Sequence, residues 1–454
     1  MNKALIFLAF FALSACATGS TQTPGDASDL PAMRTFKEAR PTPPSRSNAS
    51  IARDILDLSF RLENGGSLPV FSRFETPVTV ALASRAPATF ERDLDRLISR
   101  LRSEARLDIS RGEDPRNANI IIQFVPREQI RAIAPSAACF VRPNVSSWED
   151  FRQRRNDSAT LWTRLTQRTR MAMFLPRDVA PQEARDCLHE ELAQSLGPTN
   201  DLYRLTDSVF NDDNFHGVLT GFDMLVLRTL YDPALETGMS RADVAARLPA
   251  ILARINPRGG RGGIAPPVRN PDKWAADIQE ATIPRASRDR RLRLAERAVN
   301  RARSEGAAPS RLALSYYWLG RLSRGANPNQ AVAAFLNARQ LYRQAPGATI
   351  QSARVALQLA LFQLSAGEAD QAIALVDESL TAARRAEDAA LLSLLLMVKA
   401  EALTLKDRTR DADRVQNEAL GWARYGFGSD RAVRERAGEI AAISPRAAGN
   451  RGAV

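Results

Sequence analysis

Two patterns of apolar and polar residues divide this chain of 454 residues. In the first part, helical periodicity is interspersed with short apolar runs that are typical of strands. ATFERDLDRLISRLRSEA predicts a long amphipathic helix, whereas NANIIIQFVP and RMAMFLP predict buried strands. Helices and strands mixed in this way indicate an α+β domain, which we place at residues 48–255.

The second part is helical in pattern and repeats at long intervals. Three pairs of residues each predict a turn that leads into a second helix, and their alanines are 41 and 40 residues apart. The pairs are Gly325 with Ala331, Gly367 with Ala372, and Asp407 with Ala412. Tyr317-Trp318-Leu319-Gly320 resembles the start of a tetratricopeptide unit, although the period exceeds the usual length of about 34 residues. Residues 285–445 are therefore predicted to form an all-α, tetratricopeptide-like repeat domain.

Helical repeats of this kind bury their apolar faces against their neighbours and leave a groove. We expect protein or peptide partners to bind in that groove. The alternative is that the helices form a packed cap on the first domain.

Two stretches have the composition of linkers. Residues 16–47 are rich in Ser, Thr, Pro and Ala without periodicity, which predicts a flexible tether. Residues 256–284 include NPRGGRGGIAPPVRNPDKW, whose Gly and Pro content disfavours both helix and sheet. We expect the second stretch to be a linker or an extended strap between the two domains.

The N-terminus has the pattern of a secretory signal peptide. Residues 1–15 contain one lysine and then an apolar run that is too short to span a bilayer. Leu13-Ser14-Ala15-Cys16 resembles the bacterial lipobox, after which cleavage leaves Cys16 as a lipidated N-terminus. The alternative is an ordinary signal peptide with an incidental cysteine. We expect a lipoprotein anchored in a membrane through Cys16 and facing the periplasm, and Ala17 favours the outer over the inner membrane.

The remaining two cysteines agree with export. With Cys16 consumed by lipid, Cys139 and Cys187 form an even pair in an oxidising compartment. We predict a disulfide between them, which would stabilise the fold by roughly 3–5 kcal/mol. Two unpaired buried thiols are the alternative.

The net charge of +12 is uneven, because residues from 285 onward contain 27 Lys and Arg but only 17 Asp and Glu. A basic region of this kind is commonly a nucleic-acid surface. Export argues against nucleic acid, and no aromatic residues are interleaved for base stacking. An anionic envelope surface is a better candidate partner. We prefer the simpler interpretation, a solvated helical face in an arginine-rich protein.

The motif most relevant to function is EELAQSLGPTND, residues 190–201. It resembles the zinc-binding helix of metzincin peptidases, H-E-x-x-H-x-x-G-x-x-H followed by Asp. The three metal-ligand positions hold other residues, which are Glu190, Gln194 and Asn200. Three further positions keep the residues of the pattern, which are Glu191, Gly197 and Asp201. The frame of a peptidase site is thus present without its histidines.

Two later segments extend the resemblance. Ser208-Val209-Phe210 resembles the S-x-M turn beneath the metal, with Phe210 in place of methionine. LTGFDMLVLRTLYDP resembles the closing helix of matrix-type metzincins. Taken together, about residues 50–255 resemble the bacterial family called domain of unknown function 2927. That resemblance implies a metzincin-like fold with no assigned activity, in which the replaced histidines are the norm.

The chemistry of the motif leaves several interpretations open. A neutral amide oxygen is a poor substitute for imidazole, so zinc is not expected and no other cofactor is predicted. Glu191 occupies the general-base position, but general-base catalysis alone contributes only about 10²–10⁴-fold. The substituted residues could instead form a hydrogen-bonded polar plug. His189 and His216 are assigned no function, and His216 is expected at the surface.

Three functions follow from these observations. We expect a degenerate peptidase domain that acts as a binding or scaffolding module together with the helical repeats. The first alternative is an atypical envelope hydrolase that uses Glu191 as general base. The second is a lipoprotein assembly factor in which the repeats matter most. Whether the protein is an enzyme stays open, although zinc proteolysis is disfavoured.

Overall fold

The computed structural model describes residues 29–37, 41–63, 65–135, 137–268, 272–284 and 286–445. These residues form an α+β domain followed by a helical region, as the sequence pattern predicted. The predicted signal peptide (residues 1–15) and lipidation site (Cys16) lie outside the described residues. Among the helices of the described residues, none combines the length and the hydropathy that a membrane span requires.

The strands of the first domain form one mixed sheet with the order β2-β1-β3-β5-β4. They are β1 (Val78–Leu82), β2 (Ile109–Arg111), β3 (Ile120–Val125), β4 (Phe140–Pro143) and β5 (Met171–Pro176). β1 is parallel to β2 and to β3, and β3 is parallel to β5. β4 is antiparallel to β5, with Phe140 opposite Phe174, and it forms one edge of the sheet.

Helices cover both faces of this sheet. They are α1 (Asn48–Phe60), α2 (Ala88–Ser103), α3 (Arg127–Ile133), α4 (Trp148–Arg154), α5 (Pro181–Leu196), α6 (Gly221–Leu230) and α7 (Arg241–Ile255). Because side chains alternate along a strand, Ile120 and Ile122 of β3 join the large core that includes Leu192 of α5. Ile121 faces the other way and packs in a smaller core with Phe151 of α4. Burial of each such side chain contributes about 1.5–3 kcal/mol.

The second region is built from helical hairpins. Its helices are α8 (Asp272–Thr282), α9 (Arg288–Ser304), α10 (Pro309–Ser323), α11 (Pro328–Gln344), α12 (Thr349–Ser365), α13 (Ala369–Arg385), α14 (Ala389–Leu405), α15 (Thr409–Phe427) and α16 (Asp430–Ala441). The three predicted turns join α10 to α11, α12 to α13 and α14 to α15, which confirms the repeat. Gly367 and Asp407 adopt positive φ at two of these turns. The alanines that follow the turns, Ala331, Ala372 and Ala412, are buried.

The predicted linker at residues 256–284 is wrong for residues 272–284, nearly half of its length. Residues 260–268 are extended, but α8 begins at Asp272 and belongs to the helical region. Trp274, Ile278 and Ala281 share one face of α8 and are buried in the helical core. The Trp274 indole N–H donates to the Ser315 hydroxyl at 2.9 Å. This helical spacing follows directly after the Gly/Pro-rich run, whose composition obscured it.

The prediction of a flexible tether at residues 16–47 does not hold for residues 29–37 and 41–47. The Phe36 ring stacks on Trp422 of α15 with 4.5 Å between ring centroids. The Arg34 backbone N–H donates to the Gly421 carbonyl at 2.9 Å. Further along, the Arg46 guanidinium forms an ion pair with Asp54 at 3.0 Å. Contacts with both domains therefore hold this polar segment on the folded protein.

The helical region packs against the first half of α5. The Gln182 side-chain amide donates to Asp388 at 3.0 Å and accepts from the Ala390 backbone N–H at 2.9 Å. This contact resembles the packed cap that was the alternative to a free repeat domain. A shallow groove of about 240 Å³ remains on α13, α14 and α15, lined by charged residues such as Asp377 and Lys399.

Candidate acidic cleft

A cleft of about 620 Å³ lies beside the second half of α5, β4 and the loop that follows Gly197. Carboxylic acids dominate its lining, and these are Glu63, Glu190, Glu191, Asp201 and Asp212. Aromatic side chains also line it, and these are Phe140, Phe151 and Trp162. The cleft thus combines a dense acidic cluster with apolar surface.

The C-terminal end of α5 is held rigidly beneath the cleft. A Cβ at Gly197 would lie 2.5 Å from Leu230 Cδ1, so the glycine allows α6 to approach closely. The buried Arg168 guanidinium donates to the carbonyls of Gln194, Ser195 and Gly197 at 2.7, 2.9 and 2.8 Å. Its positive charge complements the negative end of the helix dipole. Burial lowers the pKa of Arg168 to about 10, which leaves it protonated at neutral pH.

Glu191 lies at the base of the cleft with only 5% of its surface exposed. Its carboxyl group accepts a hydrogen bond from the Val141 backbone N–H of β4. The second oxygen, Oε2, is buried and has no hydrogen-bond partner among the described residues. Burial raises the pKa of Glu191 well above its usual value, and the carboxylates of Glu190 and Glu63 raise it further. Burial and the neighbouring carboxylates therefore favour the protonated form of Glu191.

Two other acids of the cleft titrate near neutrality. Burial raises the pKa of Glu190 to about 7, and the carboxylates of Glu63, Asp186 and Asp212 contribute to the shift. Burial and the Glu63 carboxylate raise the pKa of Asp212 to about 6. Neighbouring carboxylates cannot all be ionised at once, and this repulsion contributes to the raised pKa values of Glu190 and Asp212.

Glu63 and Asp201 form a hydrogen-bonded pair of carboxyl groups. Burial raises the pKa of Asp201 well above its usual range, and the contact with Glu63 favours the protonated form. Burial also raises the pKa of Glu63, whereas hydrogen bonds to Asp201 and Gln194 oppose that shift. The two acids can share one proton, and Gln194 stabilises the carboxylate of the pair. The cluster as a whole offers both proton donors and proton acceptors.

The predicted disulfide between Cys139 and Cys187 is confirmed. Cys187 lies one helical turn before Glu191 on α5, and Cys139 directly precedes β4. The bond therefore joins the two elements that meet at the base of the cleft.

Comparison with known proteins identifies the domain that carries the cleft. Residues 48–250 match the model of the family described as Protein of unknown function (DUF2927). We call these matched residues the DUF2927 domain. All the acidic residues of the cleft lie within the matched residues. No curated protein and no solved structure matches the chain.

The donor set of the DUF2927 domain does not fit the zinc ion of a metzincin. Glu190 and Gln194 line the cleft, but Asn200 does not. The Asn200 side-chain amide instead donates to the Asp57 backbone carbonyl at 3.1 Å and is almost fully buried. Of the three residues at histidine positions, only two therefore share one space, and one of those is an amide. Within the described residues, no three His, Cys, Asp or Glu side chains are placed to hold a metal ion.

The polar-plug interpretation is also wrong in part. Glu63 interacts with Gln194 and Asp201, but Asp201 Oδ1 and Glu191 Oε2 have no hydrogen-bond partner among the described residues. A plug would moreover fill the space beside Glu190 and Gln194, whereas a cleft of about 620 Å³ lies there. The DUF2927 domain thus retains an open site.

Both histidines have structural partners. His189 is buried, and its Nδ1 accepts from the Leu219 backbone N–H at 3.1 Å. His216 is not a surface residue, since its Nε2 lies 3.1 Å from the Thr206 carbonyl and burial lowers its pKa to about 4. Neither histidine lines the cleft.

The Ser208-Val209-Phe210 turn is anchored by α6. The Ser208 hydroxyl donates to the Asp223 carboxylate, and the Val209 backbone N–H donates to the same group at 3.2 Å. Asp223 also completes the capping box at the start of α6 with Thr220. Phe210 is fully buried in the core of the domain and does not line the cleft.

The loop after this turn serves the cleft and the helical region at once. Asp212 lines the cleft, whereas the next residue, Asp213, accepts from the Gln351 amide of α12 at 3.1 Å. The Phe215 ring lies 5.2 Å from Tyr317 of α10 in an edge-on contact. The helical region therefore holds one lip of the cleft in place.

Sequence reasoning missed four contributors to the cleft, which are Glu63, Arg142, Trp162 and Asp212. Glu63 follows α1 in a turn with Gly65 and Gly66, and no motif marks it. Asp212 belongs to the run SVFNDD, which begins with the Ser208-Val209-Phe210 turn that resembles the S-x-M turn. The adjacent acids of that run were the one available signal.

Proposed function

We propose that the first domain is a binding module whose acidic cleft accepts the cationic group of an envelope peptide. One observation carries the proposal: Glu191 is almost fully buried, faces the cleft, and has an oxygen without a hydrogen-bond partner. A buried acceptor left unsatisfied costs about 1–3 kcal/mol, so a ligand that donates to it is favoured.

The acidic neighbours support a cation in particular. Burial and mutual repulsion favour the protonated forms of Glu190, Glu191 and Asp201. A bound ammonium or guanidinium group reverses this effect, because an opposite charge within ~4–6 Å favours the ionised carboxylate. Binding of a cation at neutral pH should therefore expel protons from the cleft.

Calorimetry with N-acetyl-lysine amide, a probe with one cationic group, tests the proposal directly. Titrations at pH 7 in two buffers of different ionisation enthalpy should report binding coupled to the release of protons. Glu191→Gln and Glu190→Gln should weaken binding about tenfold or more, since each removes a charge-assisted bond. Glu149→Gln is the matched control, because Glu149 is exposed on α4 and does not line the cleft. Absence of binding, or binding that the two cleft variants leave unchanged, would refute the proposal.

The cellular location of this module forms a second part of the proposal. The short apolar run before Cys16 supports a lipoprotein signal, and with it a periplasmic location at the outer membrane. Metabolic labelling with a fatty acid, followed by membrane fractionation, should show acylated protein in the membrane and unlabelled, released Cys16→Ser protein.

The groove on α13, α14 and α15 supports binding of protein partners by the helical region, with an anionic envelope surface as the weaker candidate.

A hydrolase remains the second candidate function, and the Glu63–Asp201 pair favours it. A protonated acid beside an ionised one is the arrangement that acid–base catalysis requires. In this alternative, the metzincin-like domain cleaves envelope peptides or glycans with Glu191 as general base and without zinc. Incubation with purified envelope fragments should then give products that Glu191→Gln protein does not form. If wild-type and Glu191→Gln protein leave the fragments equally intact, the hydrolase is excluded for those substrates.

A further inference from the structure

Arg142 introduces a positive charge into a cleft that is otherwise acidic. It belongs to the edge strand β4 and lines the same cavity as Glu191. Its guanidinium lies 5.5 Å from the centre of the Phe151 ring. No Asp or Glu of the described residues lies within ion-pair distance of it. Burial lowers the pKa of Arg142, and no neighbouring charge contributes to that shift.

The positive and negative charges of the cleft are separated from each other. The groups that shift the pKa of Glu190 and Glu191 are other carboxylates, and Arg142 is not among them. Arginine and carboxylate in direct contact would neutralise each other and would lower the pKa of the acid. The cavity therefore has an acidic part and a basic part, each with unused hydrogen-bonding capacity.

We infer that the ligand of the cleft is dipolar, a short peptide with a cationic group among the carboxylates and a free carboxylate on Arg142. This inference rests on the proposed function and adds the second recognition element to it. The planar guanidinium can bind a carboxylate through two parallel N–H donors. A carboxylate suits this position better than a phosphate, because one guanidinium must hold it near several acidic groups.

The size and the walls of the cleft fit such a peptide. A volume of about 620 Å³ lies within the range of roughly 300–1,000 Å³ that is usual for small-molecule sites. Phe140, Phe151 and Trp162 supply apolar surface for the part of the ligand between its charged groups. A cation alone would leave Arg142 desolvated and unpaired, whereas a dipolar ligand satisfies both ends.

The dipeptide Lys-Ala and its C-terminal amide test this inference, since they share their cationic groups and differ only in the carboxylate. Wild-type protein should bind the free acid about tenfold more tightly than the amide. Arg142→Gln should abolish this preference while the affinity for the amide stays unchanged, and Arg142→Lys should retain part of it. Arg131→Gln on the exposed face of α3 is the control and should behave as wild type.

The outcomes separate this inference from the proposed function. Equal affinity of wild-type protein for acid and amide, or a preference that survives in Arg142→Gln, overturns the dipolar ligand. If Glu191→Gln still weakens binding of both peptides in that case, cation binding stands on its own. Failure of both dipeptides to bind overturns the inference, even if N-acetyl-lysine amide binds. Thermal unfolding of each variant is the control for folding, and both Arg142 variants should unfold at the same temperature as wild-type protein.

Discussion

The two halves of α5 bury charged groups in opposite ways. In the first half, Arg185 is almost fully buried and forms an ion pair with Asp186 at 2.6 Å, with Glu387 at 4.0 Å. Although burial opposes it, these carboxylates raise the pKa of Arg185. In the second half, the half-buried Glu190 and the buried Glu191 lie among other acids, and no arginine or lysine of the described residues pairs with them. Packing of the two domains explains the charge pairing in one half, whereas no positive partner among the described residues offsets the acids of the other half.

This contrast shows how a structural charge network differs from a candidate site on the same helix. Paired buried charges are costly to break, because removal of one partner leaves the other without compensation. Unpaired buried charges are costly to keep, because each carboxylate must hold a proton or repel its neighbours. Mutations in the two halves should therefore change stability in opposite directions.

The largest effect on stability is expected from removal of the Cys139–Cys187 disulfide, which is attached near the middle of α5. Cys139→Ser together with Cys187→Ser should lower the free energy of unfolding by about 4 kcal/mol, because the bond closes a loop of 48 residues. Urea denaturation of oxidised wild-type and variant protein measures this change. The variant should also bind N-acetyl-lysine amide more weakly, since β4 and α5 are no longer joined at the cleft. A variant with unchanged stability would show that packing alone holds these elements together.

The next largest effect on stability is expected at the first half of α5, where the buried charges are paired. Glu387 pairs with both Arg96 and Arg185 and has only 4% of its side chain exposed. Glu387→Gln should lower the free energy of unfolding by about 3 kcal/mol, since two arginines lose their carboxylate. Glu378→Gln serves as the matched control in the exposed Arg339–Glu378 pair, with an expected loss below about 1 kcal/mol. Equal losses in the two variants would contradict the distinction between buried and exposed pairs.

The smallest effect is an increase in the free energy of unfolding rather than a decrease, and it depends on pH. Burial raises the folded-state pKa of Glu190 from 4.5 to about 7, so the folded protein loses stability relative to the unfolded chain as the pH rises from about 4.5 to about 7. The penalty is relieved as the pH falls through the folded-state pKa towards the unfolded value. Glu190→Gln should therefore stabilise the protein by about 2 kcal/mol more at pH 8 than at pH 5.

Urea denaturation of Glu190→Gln and wild-type protein at both pH values measures this difference. Glu149→Gln, at an exposed position of α4, should show no such dependence. A Glu190→Gln variant that is destabilised at pH 8 would indicate that Glu190 has a positive partner and that the cleft half is also a structural network.

The elements of this fold were largely predictable because local patterns determine them. The amphipathic helix α2, the buried strands β3 and β5 and the three helical hairpins follow from periodicity and from turn residues such as Gly367. The disulfide followed from the even number of cysteines that remain after Cys16. The predictions failed at Trp274, Phe36 and His216, whose partners lie far away in sequence. Isolated residues of this kind become buried only when another element packs on them.

The sequence by itself determined the helix that carries Glu190, Glu191 and Gln194, since residues four apart on a helix share one face. It also determined that the three positions where the metzincin pattern has histidine hold other residues. Only the tertiary structure decided that Asn200 turns away to Asp57 and that Glu63 and Arg142 join the cleft. The reason is physical: local spacing places side chains on one helix, but packing of distant segments sets which groups face a common cavity and which remain unpaired in it.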